Sequence, residues 1–300
     1  MSAPPVAADA AKMEAIAAET TPLGIVAGGG SLPLAIADIV SRRGRPVVMF
    51  ALRGWAEPAV ERLPHHWIAV AQFGRLFRLA HQAGCRDMVM IGSLSRPPIS
   101  QMRIDWTTLR LLPRVLRAFR GGDNRLLSGV GAFFEEHGFR LFGAHEVAPE
   151  ILSPAGVLGR HSPAERERAD IERALALLAA LGPHDVGQAV AIADGHVLAI
   201  EAAEGTDRML ERVATLRREK RVHSSTGVGV LVKAPKPGQD HRFDLPSIGP
   251  QTVERVAAAG LAGVAVLAGA TIIAQADQVV RLADQRGLFV VGVTPHETTR

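Results

Sequence analysis

Little in this sequence supports covalent cross-linking, base stacking or membrane crossing. The one cysteine, Cys85, excludes an internal disulfide framework and suits a reducing compartment. It follows Gly84 at the head of an apolar run, which marks a buried thiol rather than a nucleophile. Tyrosine is absent and aromatic residues make up 4% of the chain. So few rings argue against a nucleic-acid partner, since bases would have little to stack on. No stretch approaches the ~18 apolar residues of a spanning helix. The first twenty residues, MSAPPVAADAAKMEAIAAET, are Ala-rich, with no apolar segment behind a basic start. They read as a mobile tail, not a signal peptide. Lysine is scarce too, with four in 300 residues, so arginine supplies most of the positive charge.

What is present suits two packed α/β domains. Hydrophobic residues reach 47%, and 30 Gly with 19 Pro fit a chain of short loops. Three hundred residues match two domains at ~150 residues each. Net charge is +4, and between Thr21 and Glu150 there are 16 Arg against 10 Asp plus Glu, an excess of +6. Such an excess favours an anionic partner, and with so few aromatics a small phosphorylated ligand fits best.

Apolar runs at LGIVAG (23–28), Pro46–Leu52, Trp67–Val70, Asp87–Ile91 and Leu141–Val147 barely alternate and are separated by helical patterns such as Leu32–Ser41 and Arg75–Ala83. This predicts a parallel sheet covered on both faces, in a Rossmann-like N-terminal domain over 21–148 after a tail of 1–20. Residues 149–162 read as a loop-rich linker. A helix then starts behind Ser162, with Pro163 at its first position and Glu165 completing a capping box. Gln188–Ile200 reads as two strands joined at Asp194-Gly195. Helices over Thr206–Arg218, Thr252–Ala259 and Asp277–Arg286, with strands over Gly227–Val232, Val264–Leu267 and Phe289–Val293, complete a C-terminal α/β domain with a mixed sheet over 163–300.

Four constellations could carry chemistry. Gly28, Gly29, Gly30 and Ser31 lie between a strand and a helix, where backbone N–H groups can approach a phosphate. Their spacing fits neither the dinucleotide nor the Walker pattern, and a tight turn without ligand is the plain alternative. Glu201, Glu204 and Asp207 are crowded where a strand passes through Gly205 into a helix. Thr206 or Asp207 could simply cap that helix, but a divalent cation such as Mg²⁺ would relieve the repulsion among them. The stretch VKAPKPGQDHRFDLP (232–246) holds two of the four lysines, Lys233 and Lys236, and is stiffened by Pro235 and Pro237. It then presents Asp240, His241, Arg242 and Asp244, a set suited to a pyrophosphate. In GGDNRLLS (121–128), Asp123 caps a helix or touches a ligand. Upstream, Arg110, Arg114 and Arg117 form a basic stripe that could meet lipid headgroups or solvent. The His65-His66 pair has no carboxylate at ligand spacing and reads as a strand start. Asp194-Gly-His196 matches the first motif of metallophosphoesterases only superficially, and the hairpin explains it.

On these residues the sequence resembles the LpxI family, the UDP-2,3-diacylglucosamine pyrophosphatases of lipid A synthesis. The likeness rests on GIVAGGGxLP at 24–33, GDNxLLS at 122–128, AIEAxEGTD at 199–207 and LVKAPKPGQDxRFDLP at 231–246. It continues through IGP at 248–250, GLAGVAV at 260–266 and GLFVVGV at 287–293. The resemblance implies hydrolysis of UDP-2,3-diacylglucosamine to UMP and 2,3-diacylglucosamine 1-phosphate with Mg²⁺ or Mn²⁺. It also implies two domains with the substrate between them, and a cytoplasmic protein in transient contact with the inner-membrane surface. The expected catalytic residues are Asp244, Lys233 and Arg242. Gly28, Gly29, Gly30, Ser31, Asp123, Lys236 and Thr206 are expected to bind substrate, and Asp207, Glu201, Glu204 and Asp244 to hold the metal. One departure is Leu267, where the family pattern has an acidic residue. Two rivals remain at this point: an NADP-linked Rossmann oxidoreductase and a non-enzymatic carrier of lipid-linked sugar. NAD itself is disfavoured because the second strand ends at Arg53, not at an acidic residue.

Overall fold

The structure, a computed structural model, describes residues 20–94, 123–237, 240–242 and 245–294. The stripe of Arg110, Arg114 and Arg117 lies outside the described residues, as does Asp244. The chain divides into an N-terminal unit up to Pro149, to which residues 240–242 also belong, and a C-terminal unit formed by the rest.

In the N-terminal unit, β1 (Leu23–Ala27), β2 (Val47–Leu52), β3 (His65–Ile68), β4 (Asp87–Ile91) and β5 (Arg140–Phe142) form one sheet. All pairings are parallel, in the order β3-β2-β1-β4-β5. Helices α1 (Leu32–Arg42), α2 (Phe73–Gln82), α3 (Asp123–Glu136) and α4 (Ala144–Val147) lie between or after the strands. Every residue of β1 is buried, as the apolar run without alternation implied. The order reverses between β1 and β4, so the loops that follow these two strands flank the crevice where doubly wound sheets take ligands. A cluster of Phe73, Phe77, Phe133, Phe134 and Phe139 joins α2 and α3 to the sheet, with Phe77 and Phe134 edge-to-face at 5.0 Å. Cys85 is buried within it, and that burial pushes the thiol up to about 11.

At the opposite edge of this sheet, Asp87 opens β4 between two arginines. Arg45 Nη2 donates to Asp87 Oδ2 and Arg140 Nε to Oδ1, both at 2.6 Å. Arg45 and Asp87 are 2% and 1% exposed.

The C-terminal unit has a six-stranded sheet in the order β6-β13-β11-β9-β7-β8, from β6 (Gly156–Leu158), β7 (Ala189–Ala193), β8 (His196–Ile200), β9 (Val230–Lys233), β11 (Gly263–Leu267) and β13 (Phe289–Val293). Strands β9, β11 and β13 are parallel, whereas β6 runs against β13 and β7 runs against both β9 and β8. Two further strands, β10 (Ser247–Ile248) and β12 (Ile272–Ile273), pair in parallel. Helix α5 (Glu165–Leu181) covers one face through Ile171, Ala174 and Leu178, which meet Val230 and Val232. Helices α6 (Gly205–Arg218), α7 (Pro250–Ala258) and α8 (Ala276–Arg286) cover the other, where Met209, Val213, Val253 and Val279 meet Leu231. The mixed α/β reading therefore holds, and so does the hairpin. Asp194 and Gly195 both take positive φ, +50° and +75°, as a two-residue turn of this type requires. Asp170 of α5, 2% exposed, accepts both turn amides, at 2.9 and 2.7 Å.

Three local readings are corrected. Leu141–Val147 is not one strand: β5 stops at Phe142, and the Gly143 amide donates to Glu146 Oε2 at 2.7 Å, which starts α4 instead. The stretch read as linker contains β6, a three-residue edge strand bracketed by Gly156 and Gly159, both at positive φ. The capping box at the head of α5 sits two residues later than expected. The helix begins at Glu165, and Glu167, buried and paired with Arg166, accepts the Ala164 amide at 3.2 Å.

Replacing Asp87 with alanine leaves the buried Arg45 guanidinium without its carboxylate. Urea unfolding is expected to show a loss of about 3–5 kcal/mol, the scale for breaking a buried pair from one side. A loss below about 1 kcal/mol would mean that the triad contributes nothing beyond a surface pair.

Candidate functional site

Strand parity places the central residue. Val230 and Val232 face α5, so Leu231 and Lys233 face the side covered by α6. Lys233, the last residue of β9, is 8% exposed. Its Nζ donates to Thr206 Oγ1 at 3.0 Å and to the Ser247 carbonyl at 3.1 Å. Strand β8 lies parallel to β9, two places across the sheet, and ends level with it, so Glu201 follows β8 at the same edge. Thr206, in the first turn of α6, donates its hydroxyl to Glu201 Oε1 at 2.7 Å, and the Gln188 amide donates to Oε2 at 2.8 Å. The result is a relay, Lys233 to Thr206 to Glu201, at the carboxyl edge of the parallel strands.

The other two carboxylates of that segment do not join it. Glu204 accepts from Arg212 Nη2 at 2.7 Å, and the same nitrogen also donates to the Ile200 carbonyl. Asp207 lies 3.9 Å from Arg255 Nε, and Arg255 also pairs with Glu211. The repulsion expected among these three carboxylates is thus relieved in part without a cation: Arg212 of α6 meets Glu204 and Arg255 of α7 lies near Asp207, while Glu201 is held by a hydroxyl and an amide. Among the described residues no group of three or more His, Cys, Asp or Glu is placed to hold a metal ion. Asp244 and the side chain of Asp123 are not among those residues.

Lys236 reaches Asp185 at 2.6 Å rather than the Lys233 relay. Arg242 belongs to the N-terminal unit. Its guanidinium is bonded to Asp240 at 2.9 Å and to Glu135 at 3.1 Å, which pushes the Arg242 pKa up. Those bonds hold the Asp240 carboxyl below its ordinary range. A depressed carboxyl contributes stability above its unfolded value and loses it as pH falls through the folded one, so this clamp persists at neutral pH.

The glycine loop is also in the N-terminal unit, at the β1/β4 switch point. Gly28 N donates to Ile91 O and Gly29 N to Ser93 O, both at 2.8 Å, while Ser93 N returns to Gly29 O at 2.9 Å. A Cβ on Gly28 would lie 2.7 Å from the Ser93 carbonyl oxygen. Gly28 and Gly29 are therefore explained by the close approach of two loops, with their amides committed to that approach. The expectation that the amides of this loop approach a phosphate thus loses two of its donors. Gly30 differs: φ is +89° and a Cβ there would meet nothing within 4 Å. Ser31 follows at the N-cap of α1 without its side chain capping a first-turn amide, so the open end of α1 begins at these two residues. Ser93, Gln188, Ser247, Arg212 and Arg255 were not singled out by sequence reasoning, because each acts through a tertiary contact that no local spacing announces.

The molecule is thus an α/β protein with two large sheets and a two-stranded one, and polar side chains gather at the carboxyl edge of the six-stranded sheet. The LpxI N-terminal domain matches residues 22–151 and the LpxI C-terminal domain matches 154–291. A relative from Caulobacter vibrioides, named UDP-2,3-diacylglucosamine pyrophosphatase LpxI, is 42% identical over 275 residues, covering 92% of this chain and 98% of its own. The chain belongs to the LpxI family.

Gly28→Ala and Gly30→Ala separate the two halves of the glycine loop. Gly28→Ala is expected to lose about 1–3 kcal/mol by thermal or urea unfolding, because backbone must move to admit the methyl group. Gly30→Ala should lose roughly 1–2 kcal/mol, the cost of a Cβ at positive φ in open space, with no backbone displaced. A crystal structure of Gly28→Ala with the loops after β1 and β4 unmoved would contradict this division.

Proposed function

We propose that this chain hydrolyses UDP-2,3-diacylglucosamine at its pyrophosphate, releasing UMP and 2,3-diacylglucosamine 1-phosphate. The observation that carries the reading is the match along nearly the whole chain to a relative named for acting on this substrate. The chemistry of the Lys233 relay supports it. Hydrolysis adds water across one P–O–P linkage: a phosphorus–oxygen bond forms to water, the bridging bond breaks, and negative charge grows on the departing phosphate. A pre-positioned ammonium stabilises that charge with no reorganisation at the moment of reaction. Asp244 receives the water's proton or orients the water, and Arg242, Thr206, Lys236, Asp123, Gly30 and Ser31 contribute to binding in the same proposal. Gly28 and Gly29 serve it by shaping the loop that presents Gly30 and Ser31.

Dependence on Mg²⁺ or Mn²⁺ belongs to the proposal as well. When bound, such a cation neutralises phosphate charge. Among the described residues the three carboxylates at 201–207 do not form a group that could hold it. A cytoplasmic position is part of the same proposal, and transient contact at the inner-membrane surface suits a diacylated substrate. Among the described residues no helix is long and apolar enough to cross a membrane.

Incubation with UDP-2,3-diacylglucosamine and Mg²⁺, followed by chromatography, is expected to give UMP and the sugar phosphate, and EDTA to abolish both. Release of UDP, or no nucleotide at all, would overturn the substrate assignment, and full activity in excess chelator would remove the cation. Asp244→Asn is expected to lower kcat by roughly two or more powers of ten with substrate still bound. A variant that melts low yet turns over normally would reduce Asp244 to a structural loop residue.

A further inference from the structure

Lys233 and Thr206 were legible as candidates, but the carboxylate that connects to them was read as a metal ligand. Geometry gives Glu201 different work. Both of its oxygens already accept a donor, Oε1 from the Thr206 hydroxyl and Oε2 from the Gln188 amide. The neighbouring backbone is tightly fitted around it: the Glu201 amide donates to Ala189 O, Ala234 N donates to Gln188 O, and a Cβ on Gly187 would run into the Glu201 carbonyl oxygen. Gln188 thus ties the ends of β7, β8 and β9 together at the point where Lys233 leaves the sheet. A hydroxyl has one proton to give. Because Thr206 gives its proton to Glu201, its lone pairs are turned to Lys233, which donates to them at 3.0 Å.

We propose that Glu201 is a positioning residue: by accepting the Thr206 proton it fixes the direction of that hydroxyl, and so the place of the Lys233 ammonium at the sheet edge. A carboxylate is suited to this because it can only accept, which leaves the relay one direction, whereas an amide in its place could donate to Thr206 and turn the hydroxyl away. The relevance of this relay to phosphoanhydride cleavage rests on the function proposed above. The relay itself does not.

Kinetics of four variants, and one spectrum assigned with a fifth, test it on the full chain. Glu201→Ala and Thr206→Val should each lower kcat by roughly 10- to 100-fold with KM little changed, since a misplaced ammonium fails mainly where charge develops. The double variant should be no slower than the slower single one, because both remove the same link. Thr206→Ser, which keeps the hydroxyl, should restore the wild-type kcat. Additive losses, a serine variant as slow as the valine one, or recovery of Glu201→Ala at high Mg²⁺ would each overturn the proposal, the last by making Glu201 a ligand after all. The spectrum needs no substrate. With four lysines in the chain, ¹⁵N-lysine labelling should show one ammonium resonance protected from exchange, assigned by its disappearance in Lys233→Arg. Loss of that resonance in Glu201→Ala and Thr206→Val supports the relay, and its survival in both overturns it. A wild-type protein that shows the resonance but releases no UMP would refute the substrate reading while leaving the relay standing.

Discussion

Placing an ammonium at the end of a buried strand carries a desolvation penalty, which is met only if the surrounding groups accept its protons. Lys233 is such a group, and the carboxyl edge of the C-terminal sheet is arranged around it. The hydroxyl of Thr206 and the carbonyl of Ser247 accept from it, and Glu201 stands behind Thr206. These partners come from α6, from β10 and from the end of β8. No two of them lie within four residues of each other in the chain, so the arrangement exists only when the sheet has formed.

The topology explains why they meet. Strand β7 runs against β9 and turns back at Asp194-Gly195 as β8, which therefore points the same way as β9. A hairpin inserted into an otherwise parallel sheet thus delivers a second carboxyl end, and with it Glu201 and the first turn of α6, beside Lys233. Asp170, reaching from α5 to both turn amides, secures the far end of the same hairpin. In the N-terminal unit the corresponding edge is built differently. There, two loops are pressed together through Gly28, Gly29 and Ser93, and the opening falls at Gly30.

The strands with unbroken apolar runs were legible to within a residue or two, because burial on both faces leaves no polar positions to confuse the period. Asp87–Ile91 and Phe289–Val293 are examples. Strand β6 was not legible: three residues that begin with one glycine and are followed by another, with Val157 44% exposed, carry no periodic signal. The cap of α5 was misplaced because Ser162-Pro163-Glu165 satisfies the local rule, while burial of Glu167 decides the matter in three dimensions. In the site, residue types were readable but their pairings were not. Glu201, Glu204 and Asp207 look alike in sequence. Only folding gives Glu204 to Arg212 and sets Asp207 near Arg255, leaving Glu201 to Thr206. Crowding of carboxylates in a short segment therefore does not by itself tell which of them meet arginines and which meets a hydroxyl.

In the proposed function Lys233 is the group that meets the pyrophosphate. A crystal structure of a slow variant with uncleaved UDP-2,3-diacylglucosamine bound tests this most directly. A pyrophosphate oxygen is expected about 3 Å from Lys233 Nζ, within ordinary hydrogen-bond reach, with the Thr206–Glu201 bond intact. A pyrophosphate bound elsewhere, with Lys233 still turned to Thr206 and Ser247 and touching no part of the substrate, would contradict it.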